Sequence, residues 1–353
     1  MQVKGGMHGM LKEIYENLAE WYRRCARDLP WRHTTDPYAI WISEVMLQQT
    51  RAAAVIPYYE RFLKSLPDVK SLAEVPEEEL MKLWEGLGYY SRARNLQKAA
   101  KEMITRFGGC LPQTCEELRT LPGFGPYTSA SVSAFAFHYP AVPVDGNVLR
   151  LYTRLFGIDG DIRSDAVKET IRKLASEDLC GDASLFGQIL IELGATVCTP
   201  KNPKCNACPS AAVCTAKALG LTDRLPVRSK LRERRVEERC VLIIRTPSGY
   251  AIRLRPKSGL LAGLYEFPSR ECAASVDSAA EFASELGFGD LQFNPFCECR
   301  HIFTHLEWYM YAFIADAEHV PPGFVCADAD ELRNKYALPS AFSQILKNIV
   351  LIK

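Results

Sequence analysis

No run of apolar residues in this chain approaches the ~20 that a membrane-spanning helix needs. The stretch up to Arg32 also lacks the apolar core of a secretory signal. A reducing, intracellular setting is therefore expected. Net charge is equally scant. With 43 Lys and Arg against 42 Asp and Glu, the formal value is +1. That excludes a globally basic surface, and any hold on nucleic acid must come from local clusters and backbone donors. Strand signals are missing from about Met10 to Leu219, where amphipathic runs such as Ala39 to Leu66 alternate with breaks at Asp36-Pro37, Gly108-Gly109 and Leu121-Pro122-Gly123. An all-helical first domain is predicted there. Internal repeats and low-complexity tracts are absent as well.

Cysteine, by contrast, is plentiful. The total of 13 is odd and the chain of 353 residues is long, which argues against a disulfide framework. Four cysteines, Cys198, Cys205, Cys208 and Cys214, fall in one polar stretch with the spacing C-x6-C-x2-C-x5-C, with Pro200, Pro203 and Pro209 between them. Soft thiolates crowded in this way call for a metal. The single continuous loop suits an iron-sulfur cluster held by four thiolates. Zinc is the competitor, because Cys205 and Cys208 have the spacing of a zinc knuckle.

Past the cysteine loop, TDRLPVRSKLRERRVEER is polar, rich in arginine and without apolar periodicity, so it reads as a linker. Its Arg228, Lys230, Arg232, Arg234 and Arg235 are candidates for touching phosphate, or for a merely solvated face. Strands are predicted over Cys240 to Arg245, Tyr250 to Leu254, Phe293 to Arg300 and Trp308 to Ile314, with a helix over Ser278 to Leu286. This is a second, α/β domain.

Three places carry candidate chemistry. In LPGFGPYTSASVSAF, Gly123 and Gly125 permit a tight hairpin that brings backbone N–H groups up to an anion, and the following helix N-terminus favours one. A plain corner between helices is the alternative. Asp145 precedes a strongly apolar helix, the ordinary position of an N-cap. Glu44 has Ile40, Trp41 and Leu47 as its neighbours one turn away. Apolar surroundings raise a carboxyl's pKa and suit it to give a proton at neutral pH, unless an arginine from elsewhere pairs with it.

A glycine hairpin, an aspartate about twenty residues on and the C-x6-C-x2-C-x5-C loop together resemble the helix-hairpin-helix DNA glycosylases that carry a 4Fe-4S cluster. Two branches share these marks: endonuclease III, a bifunctional glycosylase and lyase, and MutY, the adenine DNA glycosylases. The bifunctional branch places a lysine two residues after the second hairpin glycine, to attack the sugar. Here that residue is Tyr127. LPWR (Leu29 to Arg32), SEVMLQQT (Ser43 to Thr50) and WEGLGYYSRARNL (Trp84 to Leu96) are similar to the MutY branch almost letter for letter, and only that branch has an added C-terminal domain.

The resemblance implies a multidomain protein: an all-α helix-hairpin-helix glycosylase domain with an iron-sulfur loop, followed by an α/β Nudix-like domain. The first covers residues 1–220, with 30–137 as a six-helix barrel carrying the hairpin and 1–29 plus 138–220 as the iron-sulfur module. Residues 221–237 form the linker, and 238–353 the Nudix-like domain that reads 8-oxoguanine. The implied activity is monofunctional excision of adenine mispaired with 8-oxoguanine or G in duplex DNA, by base flipping and hydrolysis of the N-glycosidic bond. A monomer is expected.

The resemblance also implies site residues. Glu44 protonates the flipped adenine and Asp145, kept ionised, stabilises the cationic sugar, while Tyr127 and Asn147 hydrogen-bond within the site. Arg27, Leu29, Trp31, Arg32 and Gln188 line the adenine pocket. Gln49, Thr50, Leu87 and Tyr89 wedge into the duplex and stack beside 8-oxoguanine, and Gly123 and Gly125 hold the backbone. GLLAGLYEFP (Gly259 to Pro268) is similar to a family segment in which Leu261 and Tyr265 are tryptophans. Phe303, Thr304 and His305 stand where the family has Phe-Ser-His to probe the damaged base. The Nudix box is degenerate: Ala280 replaces its arginine and Ser284 one glutamate, leaving Glu281 and Glu285, so nucleotide hydrolysis is not expected. Two rival readings stand beside this one: a bifunctional glycosylase of the endonuclease III type, and a non-catalytic, zinc-dependent DNA-binding protein.

Overall fold

The computed structural model describes residues 9–230 and 233–351. Arg232, one of the basic residues of the predicted linker, lies outside them. Two compact units are present: one of residues 9–74 and 95–230, the other of 75–94 and 233–351. The second therefore includes a segment, Val75 to Arg94, that a boundary near residue 220 would leave with the first. Among the described residues no helix is long and apolar enough to cross a membrane.

The first unit is helical, with one isolated bridge, Asp161 to Val227, as its extended pairing among the described residues. Helix Pro37–Met46 starts where the Asp36 carboxylate accepts hydrogen bonds from the Tyr38 and Ala39 amides, and Pro37 supplies a preset φ at the first position. Every residue from Tyr38 to Met46 is buried. Helix Ala52–Ser65 turns only Val55, Tyr59 and Phe62 inward, at i, i+4 and i+7. The single run expected from Ala39 to Leu66 is in fact broken at Leu47 to Arg51, where Gln49 adopts φ 60. A glutamine gives no sequence signal for that left-handed turn.

A second core gathers helices Tyr15–Cys25, Gly146–Phe156, Asp165–Asp178 and Ala183–Thr196 around Leu18, Leu151, Ile171, Phe186 and Leu190. Removing one such leucine costs about 2–5 kcal/mol. Gly194 matters to this packing, because a Cβ there would lie 2.8 Å from Asn147. Only a glycine lets helix Ala183–Thr196 press against the start of helix Gly146–Phe156.

The second unit is built on a seven-stranded sheet: β1 Arg235–Thr246, β2 Gly249–Leu254, β3 Tyr265–Glu266, β4 Ser269–Glu271, β5 Asn294–Ile302, β6 Leu306–Asp316 and β7 Phe324–Ala327. The main order is β3-β2-β1-β6-β5, with β4 beside β1 and β7 beside β2. β1 and β6 run parallel, with Cys240 opposite Tyr311, and the other pairs are antiparallel. Helices cover both faces, so alternate residues of β1 enter two cores. Val241 and Ile243 pack with Phe342 and Ile345, whereas Cys240, Leu242 and Ile244 pack with Ala279 and Phe282 of helix Val276–Glu285. The first strand starts at Arg235, within the stretch read as linker.

Candidate active site

Within the first unit, helices Pro37–Met46, Pro126–Phe137, Gly146–Phe156 and Ala183–Thr196 surround a cavity of about 730 Å³. That is within the ~300–1,000 Å³ usual for small-ligand sites. Glu44, Asp145, Tyr127 and Asn147 all line it, as do Arg27, Leu29, Trp31, Arg32, Gln49, Thr50 and Gln188.

Glu44 is 4% exposed. Burial pushes its carboxyl up from 4.5 to about 7, with the Asp145 charge adding to the rise. Hydrogen bonds from Tyr127 and Ser131 and the Arg32 charge hold the rise in check. Tyr127 donates from its phenol to Glu44 Oε2 at 2.6 Å. Its own hydroxyl is pushed well above the usual range, first by burial and then by the two carboxylates. An arginine partner for Glu44, the bland alternative, is not what neutralises it: Arg32 acts only as the smallest of the named influences.

Asp145 is an N-cap and more. Its Oδ1 accepts from the Asn147 and Val148 amides at 2.9 and 2.8 Å, and its Oδ2 accepts from Asn147 Nδ2 at 2.6 Å. Burial nevertheless moves its carboxyl above the ordinary 3.8, against those three bonds. Asn147 is held in turn by Arg150, which also donates to the carbonyls of Gly194 and Cys198.

One wall of the cavity was not legible in the sequence reading. Glu192, which has no exposed side chain surface, accepts from Arg27 Nε and NH2, both at 2.8 Å, and from Arg32 NH2 at 2.7 Å. Burial would raise its carboxyl, but the two guanidiniums hold it below the usual range. A lone glutamate in the apolar helix ASLFGQILIELGAT is the same signal that marked Glu44. On that helix Gln188 accepts from the Tyr22 hydroxyl at 2.6 Å and donates to Ser184 Oγ at 3.2 Å.

At the hairpin, Gly123 has φ 81 and its absent Cβ would lie 2.9 Å from Asn95 Cβ, so a glycine is required. Gly125 is different. Its backbone is extended and nothing lies within 4 Å of where a Cβ would be. The four cysteines line one small hollow together with Leu151, Arg154 and Leu155, and Arg154 NH1 points at Cys198 Sγ from 3.4 Å. Among the described residues no three His, Cys, Asp or Glu side chains converge as ligands of a single ion.

In the second unit Tyr89, 52% exposed with φ 47, is hydrogen-bonded through its hydroxyl to Thr304 Oγ1 at 2.8 Å. Thr304 and His305 form the exposed tip of the β5–β6 turn, closed by the Phe303 amide on the Leu306 carbonyl, with the Phe303 ring edge-on to His301 and Trp308. Leu87 is buried at 7% exposure, so Tyr89 is the side chain this segment presents. Leu261 has φ 57, and the Tyr265 ring packs on Tyr336. Glu281 and Glu285, the two carboxylates expected from a degenerate Nudix box, are both bound by Arg270, at 3.3 and 2.5 Å. Arg234 and Arg235 are also engaged, on the Phe303 carbonyl and on Glu271.

A cavity lined by one carboxyl pushed toward neutral pH and by a second, with a glycine hairpin leading into one of its helices, marks a DNA N-glycosylase of the base excision type. The family model of the HhH-GPD superfamily of base excision DNA repair proteins matches residues 42–177, and that of the NUDIX domain matches residues 240–348. In solved structures the fold is similar to a thermostable thymine-DNA glycosylase, 30% identical over 60% of this chain and 97% of that one, with a TM-score of 0.54. It is also similar to endonuclease III in a trapped covalent complex with DNA, 27% identical over 60% and 97%, with a TM-score of 0.52. Adenine DNA glycosylase of Mus musculus is 34% identical, with 87% of this chain and 72% of that protein covered. The Schizosaccharomyces pombe enzyme is 32% identical over 87% and 82%. The chain belongs to the adenine DNA glycosylase family.

Proposed function

We propose that this glycosylase removes adenine paired with 8-oxoguanine or G in duplex DNA, without strand cleavage. The observation that carries the reading is Glu44, buried in a base-sized cavity with a carboxyl near pH 7. Glu44 gives its proton to N7 of the flipped adenine, which makes the base a good leaving group. As the bond breaks the sugar becomes cationic, and Asp145, anchored by three hydrogen bonds, faces that charge. Tyr127 keeps the Glu44 carboxyl oriented, and Asn147 does the same for Asp145. Among the described residues that line the cavity there is no lysine. That supports a monofunctional enzyme over one with a Schiff-base route.

Tyr89, Thr304 and His305 are assigned to the 8-oxoguanine side, and Gln49, exposed in a left-handed turn at the cavity mouth, to the gap left by the flipped base. The open space at Gly125 lets a phosphate approach the start of helix Pro126–Phe137. With Glu281 and Glu285 bound to Arg270, the second domain reads an oxidised base rather than hydrolysing nucleotides. Four thiols lining one hollow suit a 4Fe-4S cluster, which would be held by Cys198, Cys205, Cys208 and Cys214 and would supply structural anchoring of the loop.

The test is a single-turnover assay on duplexes with A opposite 8-oxoguanine, G and T, with and without alkali. Excision from the first two, with strands cut only after alkali, is expected. Cutting without alkali, or borohydride trapping of a covalent adduct, points instead to the bifunctional reading.

A further inference from the structure

We infer that Glu192 is a positioning residue for adenine excision, fixing Arg27 and Arg32 as one rigid wall of the base cavity. This rests on the reading of that cavity as the adenine site. Arg27 gives Glu192 three hydrogen bonds, from its backbone amide at 3.1 Å and from its guanidinium Nε and NH2. Arg32 gives a fourth, and also donates to the Arg27 carbonyl at 2.9 Å. The two arginines sit on an irregular stretch around the short Pro30–Arg32 turn, where the backbone alone does not hold long side chains. Glu192 supplies the order from a regular helix.

The wall is closed by the same helix one turn earlier. Gln188 lies at i−4 of Glu192, so both side chains leave one face. Tyr22 ties the two halves together: its hydroxyl bonds Gln188, and its ring lies 5.4 Å from the Arg32 guanidinium. Arg27, Arg32 and Gln188 thus reach the cavity already oriented, as donors that need no reorganisation when a base enters. Arg27 is 40% exposed at its side chain while Glu192 is fully covered. A positively charged side chain at an open rim keeps one rotamer only if something buried holds it, and a paired carboxylate does that while avoiding the cost of a lone buried charge.

The discriminating experiment compares wild type, Glu192→Gln and Glu192→Asp in three readings: single-turnover excision of A opposite 8-oxoguanine, affinity for the same duplex with a tetrahydrofuran abasic analogue in place of adenosine, and Tm. The Gln variant keeps the shape and loses the charge. It should lose about 10- to 100-fold in excision rate, as displaced supporting residues do. Abasic-duplex affinity should stay within about threefold, because that ligand has no base to meet the wall. Asp, with the charge drawn back by one methylene, should lose only a few-fold. Wild-type rates in both variants, or a fall in rate, affinity and Tm together, would overturn the assignment. Should the Gln variant not fold, Asp decides on the same terms. If wild type excises no adenine from any duplex, it is the adenine-site reading that fails, independently of Glu192.

Discussion

The phenol of Tyr127 and the carboxyl of Glu44 are joined by a 2.6 Å hydrogen bond inside a cavity that also holds Asp145. In the proposed mechanism, proton delivery rests on this buried pair, drawn from two helices 83 residues apart in sequence. Glu44→Gln keeps the shape and removes the proton. A loss of about 10²–10⁴-fold in single-turnover rate is expected. In wild type the rate should fall as pH rises through about 7, the pH at which burial lets Glu44 ionise. Excision by the Gln variant at the wild-type rate would remove the proposed acid.

The same carboxyl links stability to pH. Folded Glu44 keeps its proton up to about 7, whereas the unfolded chain releases it near 4.5. Between those values the folded state binds more protons, so stability from this group falls as pH rises, and is constant above and below. The interval, at ~1.4 kcal/mol per pH unit, corresponds to roughly 3 kcal/mol. Glu44→Gln should therefore raise Tm relative to wild type at pH 8 and leave it little changed at pH 4. Parallel Tm curves for the two proteins across that window would contradict the burial argument.

Tyr127→Phe removes a donor to the ionised form of Glu44. The carboxyl should then titrate higher still, moving the alkaline limb of the rate upward in pH. With the proton left unoriented, the rate at pH 6 should drop about tenfold, on the scale of a charge-assisted hydrogen bond. A limb that shifts downward would show that the bond serves the protonated acid instead.

The hairpin glycines should behave oppositely. Gly123→Ala meets Asn95 and a left-handed φ, and should cost about 1–3 kcal/mol of stability. Gly125→Ala has free space, so Tm should hold while affinity for duplex DNA falls. Equal Tm losses in both would show that Gly125 serves the fold rather than the ligand.

For the cysteine loop, iron and acid-labile sulfide at about four each per chain are expected, as a 4Fe-4S cluster requires. Cys205→Ala should lose both, together with visible absorbance. One zinc per colourless chain would instead support the structural-zinc alternative.

In the second unit, Thr304→Ala removes the hydroxyl that meets Tyr89. Preference for 8-oxoguanine over G as the partner base should fall about fivefold, the scale of one net hydrogen bond. An unchanged ratio of the two rates would take Thr304 out of partner reading.

Much of this was legible from local chemistry. The all-helical first part and four strands of the second, β1, β2, β5 and β6, follow from apolar periodicity and turn residues, whereas the two- to four-residue strands β3, β4 and β7 are too short to show a period. Glu44 stood out because a charged residue amid Ile40, Trp41 and Leu47 has no solvent to face. Glu192 obeys the same rule and escaped notice, since nothing local shows that Arg27 and Arg32, 165 and 160 residues away, meet it. The left-handed turns at Gln49 and Tyr89 were invisible too, because they are imposed by surrounding structure rather than by residue type.

The sequence by itself determined which groups are available: a carboxyl in apolar company, an aspartate at a helix start, four thiols in one loop and a tyrosine in place of a lysine. Those are properties of residue type and spacing over a turn or two. Only the tertiary structure decided that Glu44 and Asp145 share a cavity, that Arg270 pairs with both Glu281 and Glu285, and that Val75 to Arg94 joins the second unit. Burial, dielectric and hydrogen-bond partners depend on which distant segments pack together, and it is these that turn an ordinary glutamate into an acid poised near neutral pH.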